Sequence, residues 1–121
     1  FKTSVMASMK VNKSDVSRWG IYNIKTKIDK NNFIINNVVE KPSIKTSPSN
    51  NAVIGRYILP KKIFSKLKSL KPGKSGEFHI TDAIQALIED DHQFIGHNFS
   101  GKYLDCGTMK GYIKSTLEIS K

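Results

Sequence analysis

Along the first part of the chain, Val5, Ala7, Met9 and Val11 alternate with Met6, Ser8 and Lys10. That two-residue period predicts a strand with one strongly apolar face, placed inside a sheet. Asn12 to Asp15 is polar and turn-forming, and Ser17-Arg18-Trp19-Gly20-Ile21-Tyr22 follows. A glycine at the head of a strand, after a large aromatic, marks a place where a ligand or another backbone comes close to the main chain, although a simple bulge explains it equally. The runs Tyr22-Asn23-Ile24 and Phe33 to Val39 flank the polar segment Asp29 to Asn32 and predict a hairpin with a loop longer than the tightest kind. Ser43 to Asn51 has no period and reads as a surface loop. Ala52 to Leu59 is almost continuously apolar, broken only by Gly55 and Arg56, and predicts a strand buried on both faces and stopped by Pro60.

The period then changes. From Pro60, Ile63, Phe64, Leu67 and Leu70 fall on one helical stripe with lysines opposite, and Pro72-Gly73 ends the helix. Lys71 to Glu77 reads as a loop. A second helix is expected with Thr81 as N-cap, Asp82 in the first turn, and Ala83, Ile84, Leu87 and Ile88 inward. Phe94-Ile95 and Tyr103-Leu104 read as short strands around the polar stretch Gly96 to Lys102. Asp105-Cys106-Gly107 leads into a last helix capped by Thr108, with Met109, Tyr112, Ile113 and Leu117 as its inner stripe.

At 121 residues the chain has room for one domain, able to bury roughly two-thirds of its unfolded surface. It begins at Phe1, and Phe1-Lys2-Thr3-Ser4-Val5 reads as the approach to a strand, so a longer parent protein is expected. No apolar run approaches the roughly 20 residues that span a bilayer, and one cysteine, Cys106, makes no internal disulfide framework. A reducing, cytoplasmic setting is the expectation. The formal charge of +10 raises the question of nucleic acid. The cations are lysines spread along the chain, with Arg18 and Arg56 the only arginines, and no aromatic residues interleave with a basic stripe. Base reading and stacking platforms need that arginine and that interleaving, so no nucleic-acid partner is expected.

Candidate chemistry centres on Val38-Val39-Glu40-Lys41-Pro42. A strand delivers a carboxylate and an ammonium side by side, and the opened pleat at a strand's last residues lets both reach one pocket. Pro42 is expected to hold Lys41 extended and fix the exit point. Such a pair suits a ligand with hydroxyls at one end and a phosphate at the other; ordinary solvated charges at a strand end are the alternative. Asp105, between a strand and a glycine turn, stands where α/β proteins bind ligands and can offer oxygen to Mg²⁺, or it caps the helix. His79, His92 and His97 lack metal-ligand spacing. Cys106 reads as a buried structural thiol. No glycine-rich phosphate loop of the usual kinds is present.

Five blocks of sequence, Ser17-Arg18-Trp19-Gly20-Ile21, Val39-Glu40-Lys41-Pro42, Pro48 through Tyr57, Gly76 through Ile84, and Asp105-Cys106-Gly107 with Gly111-Tyr112, resemble in order and spacing the carboxyl-terminal half of bacterial UTP–glucose-1-phosphate uridylyltransferases, the UDP-glucose pyrophosphorylase family. The resemblance covers nearly the whole chain. It implies a Rossmann-like nucleotidyltransferase α/β/α sandwich with a mixed sheet, of which residues 1–121 form the sugar-phosphate-binding half. By matching motif, Gly20 would present its backbone to glucose, Glu40 would accept bonds from its hydroxyls, and Lys41 would hold the phosphate and act catalytically. Asp105 would be a carboxylate near Mg²⁺. Trp19 stands where a tyrosine is usual. UTP and glucose-1-phosphate are the implied substrates, Mg²⁺ the implied cofactor, and a homo-oligomer the implied state of the complete enzyme. The family's nucleotide loop belongs to an amino-terminal half not contained in these residues, so the fragment is expected to be inactive alone. A catalytically dead remnant or interaction module that keeps this fold is the alternative.

Overall fold

A computed structural model describes residues 3–73 and 76–121. Phe1 and Lys2, expected on the approach to the first strand, and Lys74 and Ser75, within the expected 71–77 loop, lie outside the described residues. In chain order the elements are β1 (Ser4–Lys10), a 3₁₀ helix (Lys13–Arg18), β2 (Gly20–Lys27), β3 (Asn32–Glu40), β4 (Asn51–Ile58), α1 (Ile63–Ser69), α2 (Ile80–Glu89), β5 (Phe94–Asn98) and α3 (Met109–Ile119).

The strands form a mixed sheet in the order β1-β4-β2-β3-β5, and the ring of pairings closes because β5 also runs parallel to β1. The other pairings are antiparallel. As expected, β2 and β3 make a hairpin, with Gly20 opposite Glu40. Its turn is locked by Asp29, whose Oδ1 accepts from the backbone N–H groups of Asn31 and Asn32 at 2.8 and 2.9 Å. Bonds from the Asn32 side chain, then from the Asn31 backbone, hold the Asp29 carboxyl below its usual range.

The main core lies between one face of the sheet and helices α1 and α2. Met6, Tyr22, Phe33, Ile35 and Phe94 from strands meet Ile63 of α1 and Ala83, Ile84 and Leu87 of α2. Helix α2 follows its expected stripe. It starts at Ile80, with His79 at the N-cap, so Thr81 falls inside the first turn and does not cap. Helix α1 begins at Ile63, after a turn in which Pro60 O accepts from Ile63 N–H at 3.0 Å. On the other face, the 3₁₀ helix, which replaces the expected turn at Asn12 to Asp15, lays Val16 over Ile21 and Ala52. Helical segments therefore cover parts of both faces, the layering of an α/β nucleotidyltransferase fold.

Several expectations fail, and most fail on the second face. In β1 the buried residues are Ser4, Met6 and Ser8, while the more apolar Val5, Ala7 and Met9 are only partly covered. The core chooses the face that meets α1 and α2, whatever the composition of the other. Strand β4 is not buried on both faces, since Gly55, Arg56 and Ile58 are exposed. No strand forms at Tyr103-Leu104, which lies in a loop. Thr108 does cap α3, accepting from Gly111 N–H at 3.0 Å. The expected inner stripe, however, faces outward: Met109, Tyr112, Ile113 and Leu117 are exposed and Ser115 is the buried position. Cys106 is exposed as well and is not the buried thiol expected. No helix among the described residues is long and apolar enough to cross a membrane.

Candidate functional site

Glu40 and Lys41 line one cleft of about 780 Å³ together with Gly20. Its floor is the head of β2, where Gly20 stands between β3 and β4. A Cβ at Gly20 would lie 3.0 Å from Glu40 Oε2, 3.3 Å from Val38 Cγ1 and 3.5 Å from Val53 Cγ2. Glycine here gives the Glu40 carboxylate room to lie across the strand head. That is a side-chain reason for the residue, added to the exposed backbone the sequence called for.

One detail at the strand's exit departs from expectation. Lys41 is not extended; its φ is +44°, a left-handed conformation uncommon for a residue with a Cβ and of order 1–3 kcal/mol above an ordinary one. Its N–H still donates to Trp19 O at 3.0 Å, so the ladder holds for one more residue before the chain swings away. Left-handed geometry breaks the strand's alternation, which is why neighbours in sequence share one cleft instead of facing opposite sides of the sheet. Pro42, buried, anchors the far side of the bend. Among the described residues neither the Glu40 nor the Lys41 side chain is in a salt bridge.

The opposite wall comes from β4. Opposite β1, the register passes from Met6 with Tyr57 to Ser8 with Val53, so extra residues of β4 bulge out between those pairs. Gly55 takes a φ of +69° there, which a residue with a side chain would resist. The bulge turns Arg56 and Tyr57 to the cleft. Burial, and after it the negative charge of Glu40, raises the Tyr57 hydroxyl above its ordinary range, so this phenol is a neutral hydrogen-bonding group beside the carboxylate. The amino end of α2 closes the cleft with His79, Thr81 and Asp82. In the hydrophobic pattern this wall showed only as Gly55-Arg56 interrupting an apolar run, although Pro48 through Tyr57 and Gly76 through Ile84 were among the blocks of the family resemblance.

Asp105 lies elsewhere. It lines a second cleft of about 740 Å³ with Lys102, Lys110, Lys114 and Glu118. Trp19 and Tyr103 pack edge to face, with centroids 5.4 Å apart at 73°, and this pair, like Arg18, lines both clefts. Asp105 is exposed, and its Oδ1 accepts from Gly107 N–H at 3.0 Å, closing the turn ahead of α3. Among the described residues no group of three or more His, Cys, Asp or Glu side chains is placed to hold a metal ion. Asp105 keeps its other carboxylate oxygen outside that turn, in lysine-rich surroundings, and a Mg²⁺ ion there would need further oxygens beyond those the described residues bring together.

The sequence matches the family described as Nucleotidyl transferase over residues 2–121. It is 38% identical over 116 residues to the UTP–glucose-1-phosphate uridylyltransferase of Pseudomonas aeruginosa, covering 96% of this chain and 41% of that protein. It is 36% identical over 117 residues to UTP–glucose-1-phosphate uridylyltransferase 1 of Staphylococcus saprophyticus, covering 97% of this chain and 40% of that protein. The fold superimposes on that of an apo UDP-glucose pyrophosphorylase with a TM-score of 0.90 at 37% identity, covering 98% of this chain and 43% of the other. It superimposes on a UDP-glucose pyrophosphorylase complexed with UDP-glucose with a TM-score of 0.86, again at 37% identity, covering 98% and 44%. The chain spans about two-fifths of the length of the curated relatives it matches. With its mixed sheet and layered helices, this chain belongs to the nucleotidyl transferase family.

Proposed function

We propose that these residues are the sugar-phosphate-binding part of a uridylyltransferase that makes UDP-glucose and pyrophosphate from UTP and glucose-1-phosphate. The observation that carries the reading is the cleft that Glu40 and Lys41 line together with Gly20, both charges outside any salt bridge among the described residues. Relatives bearing that activity in their names support it. A carboxylate accepts from sugar hydroxyls, and a lysine opposes a phosphate. In the reaction a phosphate oxygen of glucose-1-phosphate forms a bond to the α-phosphorus of UTP while the bond from that phosphorus to the departing pyrophosphate breaks. No covalent bond to the protein is needed, so the protein's work is positioning and charge neutralisation. Lys41 offsets the negative charge of the attacking group. At an effective dielectric near 20, a contact at about 4 Å is worth on the order of 4 kcal/mol before desolvation.

Mg²⁺, when bound to the phosphates, would withdraw charge from the reacting centre. Asp105 offers too little to hold it alone, and the remaining oxygens would come from the phosphates and from residues outside this chain. On this reading the chain is the carboxyl-terminal part of its enzyme, works with an amino-terminal nucleotide-binding part, and is inactive without it; the complete enzyme is a homo-oligomer. Glucose-1-phosphate titrated calorimetrically into the complete protein, wild type and Lys41→Ala, tests the reading: the wild type binds and the variant loses most of the affinity. Equal binding by both would sink it. The alternative of a remnant that keeps the fold for interaction draws on one observation, the exposed apolar side of α3. A complete protein that binds the sugar phosphate but turns nothing over would favour it.

A further inference from the structure

We propose that Arg18 and Arg56 form a two-armed clamp on the phosphate of the sugar-phosphate ligand, working beside Lys41; the proposal rests on the sugar-phosphate reading of the cleft and adds to it the residues that grip the anion. The chain carries eighteen lysines and two arginines. Wherever the described residues form an ion pair, the cation is a lysine: Lys66 with Asp90, and Lys102 and Lys121 with Glu118. Ordinary surface charge in this protein is thus a lysine's task. Both arginines, scattered thirty-eight positions apart in sequence, line the cleft that holds Glu40 and Lys41.

Their settings fit the role. Arg56 rides on the β4 bulge, where Gly55 takes its positive φ, and the bulge is what brings it to the cleft wall facing β3 across the head of β2. Its Nη1 donates to the carbonyl of Gly55 next to it, at 3.3 Å, and the side chain is exposed. Arg18 closes the 3₁₀ helix two residues before Gly20, is exposed, and is in no salt bridge among the described residues. Among the described residues neither guanidinium is committed to a carboxylate.

The chemistry separates arginine from lysine. An ammonium is a compact point charge, whereas a planar guanidinium presents parallel N–H donors that bind two phosphate oxygens at once. A phosphate monoester carries close to two negative charges and three free oxygens at neutral pH, more than Lys41 alone can meet. The cations of Arg18, Lys41 and Arg56 and the carboxylates of Glu40 and Asp82 all line the cleft. Glu40 is engaged by sugar hydroxyls on this reading, which leaves the anionic end of the ligand to the three cations.

The test uses the complete protein that contains this chain. Glucose-1-phosphate and unphosphorylated glucose are titrated into the wild type and into Arg56→Lys, Arg56→Gln, Arg18→Lys, Glu40→Gln and Lys41→Ala, with thermal melting of each. The clamp predicts that each Arg→Lys variant melts like the wild type yet binds glucose-1-phosphate about tenfold or more weakly, while its weak affinity for glucose is unchanged. Arg→Lys variants with wild-type affinity, alongside a loss in Glu40→Gln and Lys41→Ala, would overturn the clamp and leave the cleft reading standing. A parallel loss of glucose and glucose-1-phosphate binding in the arginine variants would also overturn it, since the arginines would then act on the sugar or the fold. A wild type that does not bind glucose-1-phosphate would overturn clamp and cleft together.

Discussion

Helices α2 and α3 carry the same kind of message in sequence and meet different fates. Each has apolar residues at helical spacing on one side. In α2, Ala83, Ile84 and Leu87 are buried against β3 and α1, at 0%, 1% and 2% exposure. In α3, Met109, Tyr112 and Leu117 are 75%, 57% and 62% exposed. The strands repeat the contrast, with Met6 buried on the face under α1 and α2, and Ile58 on β4 left 68% exposed. Periodicity says which side of an element is fit for burial; whether anything covers it depends on what else is present. These residues amount to about two-fifths of the length of the relatives they match, and we propose that the missing cover is the rest of the fold.

The largest effect expected from that contrast is in stability. Leu87→Ala opens a cavity in a covered core and should cost about 2–5 kcal/mol, whereas Leu117→Ala in α3 should change stability by less than about 0.5 kcal/mol in the isolated chain. Urea unfolding of the two variants checks the difference, and in the complete protein the cost at Leu117 should rise toward that at Leu87. Next in size is the cleft. In the complete enzyme, Lys41→Ala should lower turnover by roughly two to three orders of magnitude, the usual loss for one charge-stabilising donor. Glu40→Ala should act mainly through weaker sugar binding, and steady-state rates with varied glucose-1-phosphate separate the two.

The uncovered side should also make the isolated 121-residue chain self-associate. Replacing Ile113, 53% exposed, by lysine should reduce that association in size-exclusion chromatography without loss of helical circular dichroism. A smaller effect concerns pH. Tyr22 is fully buried and its hydroxyl donates to Ala7 O at 3.0 Å. Burial, with a smaller contribution from Tyr57, raises its pKa far above the ordinary range. The folded chain keeps this proton where the unfolded chain loses it, so the stabilisation is whole below about pH 10 and is lost as pH rises beyond that. Tyr22→Phe should therefore show a shallower loss of stability above about pH 10 than the wild type, measured by urea midpoints. Smallest of all, Asp105→Asn should leave the melting temperature unchanged, since an amide oxygen can still accept from Gly107 N–H.

Much of this fold was legible because local rules and burial agreed. The β2–β3 hairpin, its polar turn at Asp29, the stripe of α2 and the Thr108 cap need only a few neighbouring residues to be right. The pairing of Glu40 and Lys41 in one cleft was also legible, although for a different reason: the sequence pointed to an opened pleat, while the structure uses a left-handed Lys41. What could not be read was non-local. No pattern within β1 says that Met6 and not Val5 will meet α1 and α2. No pattern near Tyr103 says that it leaves the sheet to pack on Trp19. Arg56 looked like an interruption in a strand, since a bulge is defined by the register of the partner strand and not by the bulged residues alone.

The central claim is that Glu40 and Lys41 together grip a sugar phosphate. Its most direct test is calorimetric titration of glucose-1-phosphate into the complete protein and into its Glu40→Gln, Lys41→Ala double variant, with melting curves to establish that both are folded. The account predicts saturable binding by the wild type, and a folded double variant that releases no measurable heat of binding. A folded double variant that binds glucose-1-phosphate as tightly as the wild type would contradict it.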